Sequence, residues 1–212
     1  MKVVLADDHR MMRDGLRAVL EKAGVQVVGE AANGQEAVEQ VKRLHPDVLV
    51  MDIAMPVLNG IDAIRRLRAE RPGVKVIALS MNSDRRYVIA MLEAGAAGYL
   101  LKNAASEELL AALDVVGQGQ TYLSPSIAGS VVDQALGRGQ TSRLGPERPL
   151  SGREREVLQL IAEGNSSKEI AATLLIGVTT VESHRRQIME KLNLRTVAEL
   201  TKYAIREGLT SA

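Results

Sequence analysis

Residues 47–60 read DVLVMDIAMPVLNG. The apolar run from Val48 to Met51 stops at a carboxylate, Asp52, and a loop with Pro56 and Gly60 follows. A run this short, bounded by Asp and Pro, favours a strand over a helix fragment. Apolar throughout rather than alternating, it reads as a strand covered on both faces. Burying an ionised carboxylate there without partners costs roughly several kcal/mol. Asp52 is therefore expected to be paired, to hold a cation, or to do chemistry.

Similar runs recur on both sides: KVVLA (2–6), VQVVGEA (25–31), VKVIALS (74–80) and AGYLL (97–101). Between them lie stretches with helical spacing, such as Met12, Leu16, Val19 and Leu20, or Ala37, Val38, Val41 and Leu44. Strand alternating with helix predicts an α/β domain over residues 1–118, a five-stranded parallel sheet with helices on both faces. Its last helix covers about 106–118. Gly, Ser, Pro and Gln then dominate residues 119–149, which read as a linker with a short helix near 125–136 and a flexible part at 137–149. From Leu150 every apolar pattern has helical period, and Gly164, Gly177 and Asn193 divide it into about four short helices. A small all-α domain over 150–212 is predicted.

Composition narrows the chemistry. The chain has no cysteine, which excludes disulfides, thiolate catalysis and cysteine-ligated metals, and three scattered histidines argue against a zinc centre. No apolar run reaches membrane-spanning length, and Asp7 and Asp8 come too early for a signal peptide. A cytoplasmic location without membrane partners is expected. Residues 1–118 hold 15 basic and 16 acidic side chains, and residues 148–212 hold 10 and 8. So small an asymmetry does not argue for nucleic acid, and the positions of the charges must decide.

Ligands of open parallel sheets bind beyond the carboxyl ends of the strands. The predicted ends carry Asp7 and Asp8, Asp52, Ser80, and the segment from Tyr99 to Lys102. Taken singly, each has an ordinary reading: an aspartate cap, a turn serine, a solvated lysine. Three carboxylates, a hydroxyl and an ammonium at neighbouring strand ends are harder to dismiss. The carboxylates repel unless a hard cation joins them, and oxygen-only ligands favour Mg²⁺, which commonly also binds phosphate.

The set Asp7-Asp8, Asp52 followed by MPVLNG, Ser80, and GYLLK ending at Lys102 closely resembles the flavodoxin-like receiver domain of bacterial two-component response regulators. The resemblance implies that Asp52 accepts a phosphoryl group from a sensor histidine kinase. It implies that Asp8, Asp52 and the backbone carbonyl of Ala54 ligate Mg²⁺, with Asp7 helping through the water shell. Lys102 would pair with phosphoryl oxygens, and Ser80 and Tyr99 would form the switch pair. One departure is Asn103, where the family usually has a proline after the lysine. It leaves the aim of Lys102 open.

The stretch LSGREREVLQLIAEGNSSKEIAATLLIGVTTVESHRRQIMEKL (150–192) carries helix-boundary signals. Gly164-Asn165 suits a left-handed stop, and Ser166 with Glu169 has capping-box spacing. A helix over 167–175, a tight turn at Gly177 and a helix over 178–192 give a helix-turn-helix layout. Val178, Val181, Ile188 and Leu192 form the expected inner face of the second helix. Residues 150–207 closely resemble the LuxR-type helix-turn-helix, so the whole chain resembles a NarL/FixJ-type transcription regulator. By position, Glu182, Ser183 and Arg186 would face bases, and Lys168, Thr180, His184, Arg185 and Lys191 would contact phosphates. In the last helix, about 196–207, Val197, Leu200, Tyr203 and Ala204 would form a dimer surface. Gly177 replaces the serine often found there, which predicts a weaker cap.

These resemblances imply a DNA-binding response regulator that dimerises on activation and binds paired half-sites of double-stranded DNA. No enzymatic turnover is expected beyond self-phosphorylation from a donor and slow loss of phosphate from Asp52. Haloacid-dehalogenase-like phosphatases, which also use an aspartate nucleophile, follow it with a second aspartate two residues on as general acid, where this chain has Ala54. The alternative is a regulator that binds DNA without phosphate and uses the receiver for protein contacts.

Overall fold

The structure, a computed structural model, describes residues 1–71, 73–81, 83, 85–103, 106–129 and 150–210, with the backbone alone at 85 and 86. These residues form two compact units, one α/β and one helical. In the first, β1 (Lys2–Ala6), β2 (Gln26–Ala31), β3 (Val48–Asp52), β4 (Lys75–Ser80), β5 (Gly98–Leu101) and β6 (Tyr122–Leu123) form a six-stranded sheet in the order β2-β1-β3-β4-β5-β6. Every pairing is parallel. The helices are α1 (Arg10–Lys22), α2 (Gly34–Leu44), α3 (Gly60–Glu70), α4 (Arg85–Ala94) and α5 (Ser106–Gly117).

β3 is buried at every position, as its unbroken apolar run predicts. Alternate residues serve opposite faces. Val3, Leu5, Val48, Val50, Ile77, Leu79 and Leu100 pack with Leu20 of α1 and Leu109, Leu113 and Val116 of α5. Helices α2, α3 and α4 pack beside one another, and on the α2 side Gly29 leaves room for Leu44.

The sheet has one strand more than the five expected and continues past residue 118. Gly119, at φ +84, turns the chain out of α5. Tyr122 N–H then donates to Ala97 O and Ser124 N–H to Tyr99 O, both at 3.0 Å. A two-residue edge strand is too short to show an alternating pattern, which is why the sequence reads as linker there. Residues 125–129 are helical, with Ile127 buried. The rest of the expected short helix and the 137–149 linker lie outside the described residues.

The second unit contains α6 (Gly152–Ala162), α7 (Ser167–Leu174), α8 (Val178–Leu192) and α9 (Val197–Arg206). Capping boxes open three of them, Ser151 with Glu154, Ser166 with Glu169 and Thr196 with Glu199. Helix α8 starts at Gly177 with no side-chain cap, in line with the missing serine. Gly164, Leu175 and Asn193 take left-handed conformations where α6, α7 and α8 stop.

Val178 is 42% exposed rather than on the inner face, because it stands in the uncapped first turn of α8. Leu200 and Ala204 are fully buried in the helical core with Val157, Val181 and Ile188. One turn apart on the face of α9 that meets α6, they cannot also form a dimer surface. Val197 is exposed and Tyr203 half-buried.

Candidate functional site

The strand order reverses between β1 and β3, and that crevice is where open α/β sheets hold ligands. Ala6 lies opposite Met51, so Asp7 and Asp52 emerge side by side. Asp52 lies opposite Leu79 and Ser80 opposite Leu101, which brings Ser80 and Lys102 to the same edge. Four residues from distant strand ends thus meet through register alone.

One ligand atom each from Asp7, Asp8, His9 and Asp52 lie within 4.8 Å of one another. Asp7 and Asp52 are buried, while Asp8 and His9 are exposed. Lys102 Nζ stands 2.7 Å from the Oδ2 atoms of both Asp7 and Asp52. It donates a hydrogen bond to Asp52. Its approach to Asp7 lies off the hydrogen-bond direction, so buried Asp7 Oδ2 has an ion contact without a hydrogen bond. Ala54 N–H donates to Asp52 Oδ1 at 3.3 Å, His9 N–H to Asp7 Oδ1 at 2.9 Å, and His9 Nδ1 lies 2.8 Å from Asp8.

Burial is the main force on Asp52 and pushes its carboxyl above the usual range, with Lys102 pulling down and Asp7 pushing up. Burial would lower Lys102, but its hydrogen bond to Asp52 and the negative charges of Asp52 and Asp7 outweigh it and hold the ammonium up. The three carboxylates outnumber the one ammonium, which touches only Asp7 and Asp52. That surplus, carried by oxygen donors with one buried oxygen lacking a hydrogen bond, fits a hard divalent cation.

The surrounding backbone fixes this geometry. Lys102 N–H donates to Ser80 O at 2.7 Å, and this hold on the end of β5 aims the ammonium with Asn103, not proline, next in the chain. Gly60 N–H donates to Ile53 O at 2.8 Å. A Cβ at Gly60 would stand 2.7 Å from Asp52 O and 2.9 Å from Ile53 Cα, so only glycine allows α3 to begin this close. The same loop holds Val57 at φ 68, a costly conformation for a β-branched residue. Ser80 and Tyr99 are both buried, Tyr99 completely.

In the helical unit, Thr180, Glu182, Ser183 and Arg186 are exposed along α8, as is Lys168 on α7. Glu182 accepts a hydrogen bond from Ser167. Arg185 and His184 are half-buried, and His184 Nδ1 is buried with no hydrogen-bond partner among the described residues. Lys191 is turned inward to Glu154 at 2.7 Å, which makes it a tie between α8 and α6 rather than a free cation. Sequence reasoning overlooked Arg195, which with Arg185, Arg186 and Asn193 lines a groove of ≈ 510 Å³ at the end of α8. Gly60 was read only as part of the loop after Asp52, although the Asn-Gly at the foot of α3 was a visible signal for its close approach.

Comparison with known proteins agrees with both halves. Residues 3–114 match the family model of the response regulator receiver domain, and residues 148–204 that of the bacterial regulatory proteins of the luxR family. The oxygen regulatory protein NreC of Staphylococcus carnosus is 41% identical over 214 residues, covering 99% of each chain. The transcriptional regulatory protein MctR of Rhizobium johnstonii is 39% identical, covering 100% of this chain and 96% of its own. Among solved structures, the RcsB response regulator of Salmonella typhimurium aligns with a TM-score of 0.60 at 31% identity, covering 96% of this chain and 97% of its own. An RcsB–DNA complex aligns with a TM-score of 0.60 at 30% identity, covering 96% of each chain.

Proposed function

The chain belongs to the NarL/FixJ family of two-component response regulators, joining a receiver to a LuxR-type DNA-binding domain, and from that premise we propose that Asp52 is its phosphoacceptor. The protein regulates transcription in response to phosphorylation. The observation that carries the residue assignment is the double contact of Lys102 with Asp7 and Asp52 inside a cluster that keeps a surplus of negative charge.

Asp52 attacks the phosphorus of a phosphohistidine on the partner kinase. The new bond joins phosphorus to the Asp52 carboxylate oxygen, the P–N bond breaks, and the leaving imidazole takes a proton from water. Phosphoryl transfer depends on positioning and charge neutralisation more than on covalent assistance. Asp8, Asp52 and the Ala54 carbonyl would hold Mg²⁺, with Asp7 assisting, and the ion would supply part of that neutralisation. Lys102 supplies the rest by passing from the Asp52 carboxylate to the phosphoryl oxygens. Ser80 hydrogen-bonds to the new group, and Tyr99 responds to that movement as the second half of the switch. The phosphorylated form dimerises, with Val197 and Tyr203 remaining as the surface residues proposed for α9.

In the helical unit, Glu182, Ser183 and Arg186 are the proposed base contacts, with Lys168, Thr180, His184 and Arg185 toward the backbone phosphates. Two copies of α8 engage paired half-sites, and affinity falls as salt rises. Among the described residues no helix is long and apolar enough to cross a membrane.

Incubation with Mg²⁺ and a small phosphodonor, followed by intact mass, tests the assignment. The wild type gains one phosphoryl group and Asp52→Asn gains none. Equal gain in both, or no gain in the wild type, contradicts it.

A further inference from the structure

We infer that Arg13 is a positioning residue of the acidic site, holding the loop that presents Asp7 and Asp8 to the cation; the inference rests on the Mg²⁺ reading above. Arg13 stands in the first turns of α1 with its side chain 15% exposed. Its Nη1 donates to the main-chain carbonyl of Asp7 at 2.5 Å. Its Nε donates to Glu30 Oε2 at 3.2 Å, and Arg17 Nη2 holds the other oxygen of Glu30 at 2.5 Å.

Glu30 reaches Arg13 only through an irregularity of the sheet. Val3 lies opposite Val27 but Val4 opposite Gly29, which leaves Val28 as an extra residue in β2. Val27 packs on the α1 and α5 face, so strict alternation would send Glu30 to the α2 face. The bulge reverses that parity, a known means of re-aiming a side chain beside a site. After it, Gly29 faces Leu44 and Gln40 of α2, and Glu30 faces Arg13. Asp7 N–H donates in turn to Ala31 O at 3.2 Å. The peptide groups on both sides of Asp7 are therefore held, one by β2 and the other by α1. Mutually repelling carboxylates then cannot relax by rotating the Asp7–Asp8 link.

Charge and positioning predict opposite signs. Removing a cation from beside a cation site tightens Mg²⁺ binding by Coulomb's law. Removing a support of the ligands weakens it, about tenfold for outer-shell partners. The test is calorimetric titration of the full chain with magnesium chloride, with thermal unfolding in chelator to establish folding. Arg13→Ala is expected to bind about tenfold more weakly. Arg17→Ala, which touches Glu30 but not Asp7, is expected to bind as well as the wild type or better. Should Arg13→Ala not fold, Arg13→Lys keeps the charge without the two-armed hold and is expected to bind several-fold more weakly. A folded Arg13 variant that binds as tightly as the wild type overturns the inference alone. A wild type that takes up no Mg²⁺ overturns the metal reading and the inference with it.

Discussion

At Gly60 the missing side chain lets α3 begin against the main chain of Asp52 and Ile53, and the loop between them is shaped by that approach. Gly60→Ala sets a Cβ against backbone atoms that can yield only by moving the loop. It is expected to cost about 1–3 kcal/mol in urea unfolding and to slow phosphorylation by a small donor; wild-type values in both would contradict this. The site formed by Asp52, Asp7, Asp8 and Lys102 was legible in the sequence because several charged residues close neighbouring apolar runs, a convergence that no one of them shows alone, and their roles came from the family resemblance. Arg13 was not legible: its partner Glu30 lies across a bulge that reverses the strand's alternation, and no pattern in β2 marks the extra residue. The aim of Lys102 was likewise hidden, since it depends on the main-chain bond to Ser80.

Elements with strong local signals came out of the sequence nearly to the residue. The first five strands and the Ser166–Glu169 capping box are examples. β6 carries no such signal; Val178 left the core as the uncapped first residue of α8 although Val181 and Ile188 of the same face are buried, and Leu200 was assigned to a dimer surface by resemblance, which does not say how α9 packs. Within the helical unit, Glu154 joins two elements, capping α6 through Ser151 and receiving Lys191 from α8 at 2.7 Å. Burial alone would raise its carboxyl, but the Lys191 and Ser151 hydrogen bonds prevail and lower it below the ordinary glutamate range. A carboxyl lowered by folding contributes stability that is complete above its unfolded value and lost as pH falls through its folded value. Glu154→Gln can still fill the capping box but loses the charge. It is expected to cost about 1 kcal/mol at neutral pH and nothing once Glu154 is protonated in the wild type, below the ordinary glutamate range. Paired urea titrations of wild type and variant across acid pH measure this; a gap independent of pH would contradict it.

At the scale of the whole molecule, a receiver with an acidic cluster at its strand ends is joined to a helix-turn-helix domain whose α8 exposes Thr180, Glu182, Ser183 and Arg186. Couplings between sites of this kind commonly amount to about 5–150-fold in affinity. The most direct test is the affinity of the full chain for a DNA duplex that the phosphorylated protein selects from a random pool, measured in Mg²⁺ at fixed salt with and without a small phosphodonor. The donor is predicted to raise the affinity of the wild type about tenfold or more and to leave Asp52→Asn unchanged. Equal affinity of the wild type with and without the donor, while intact mass shows Asp52 phosphorylated, would contradict the account.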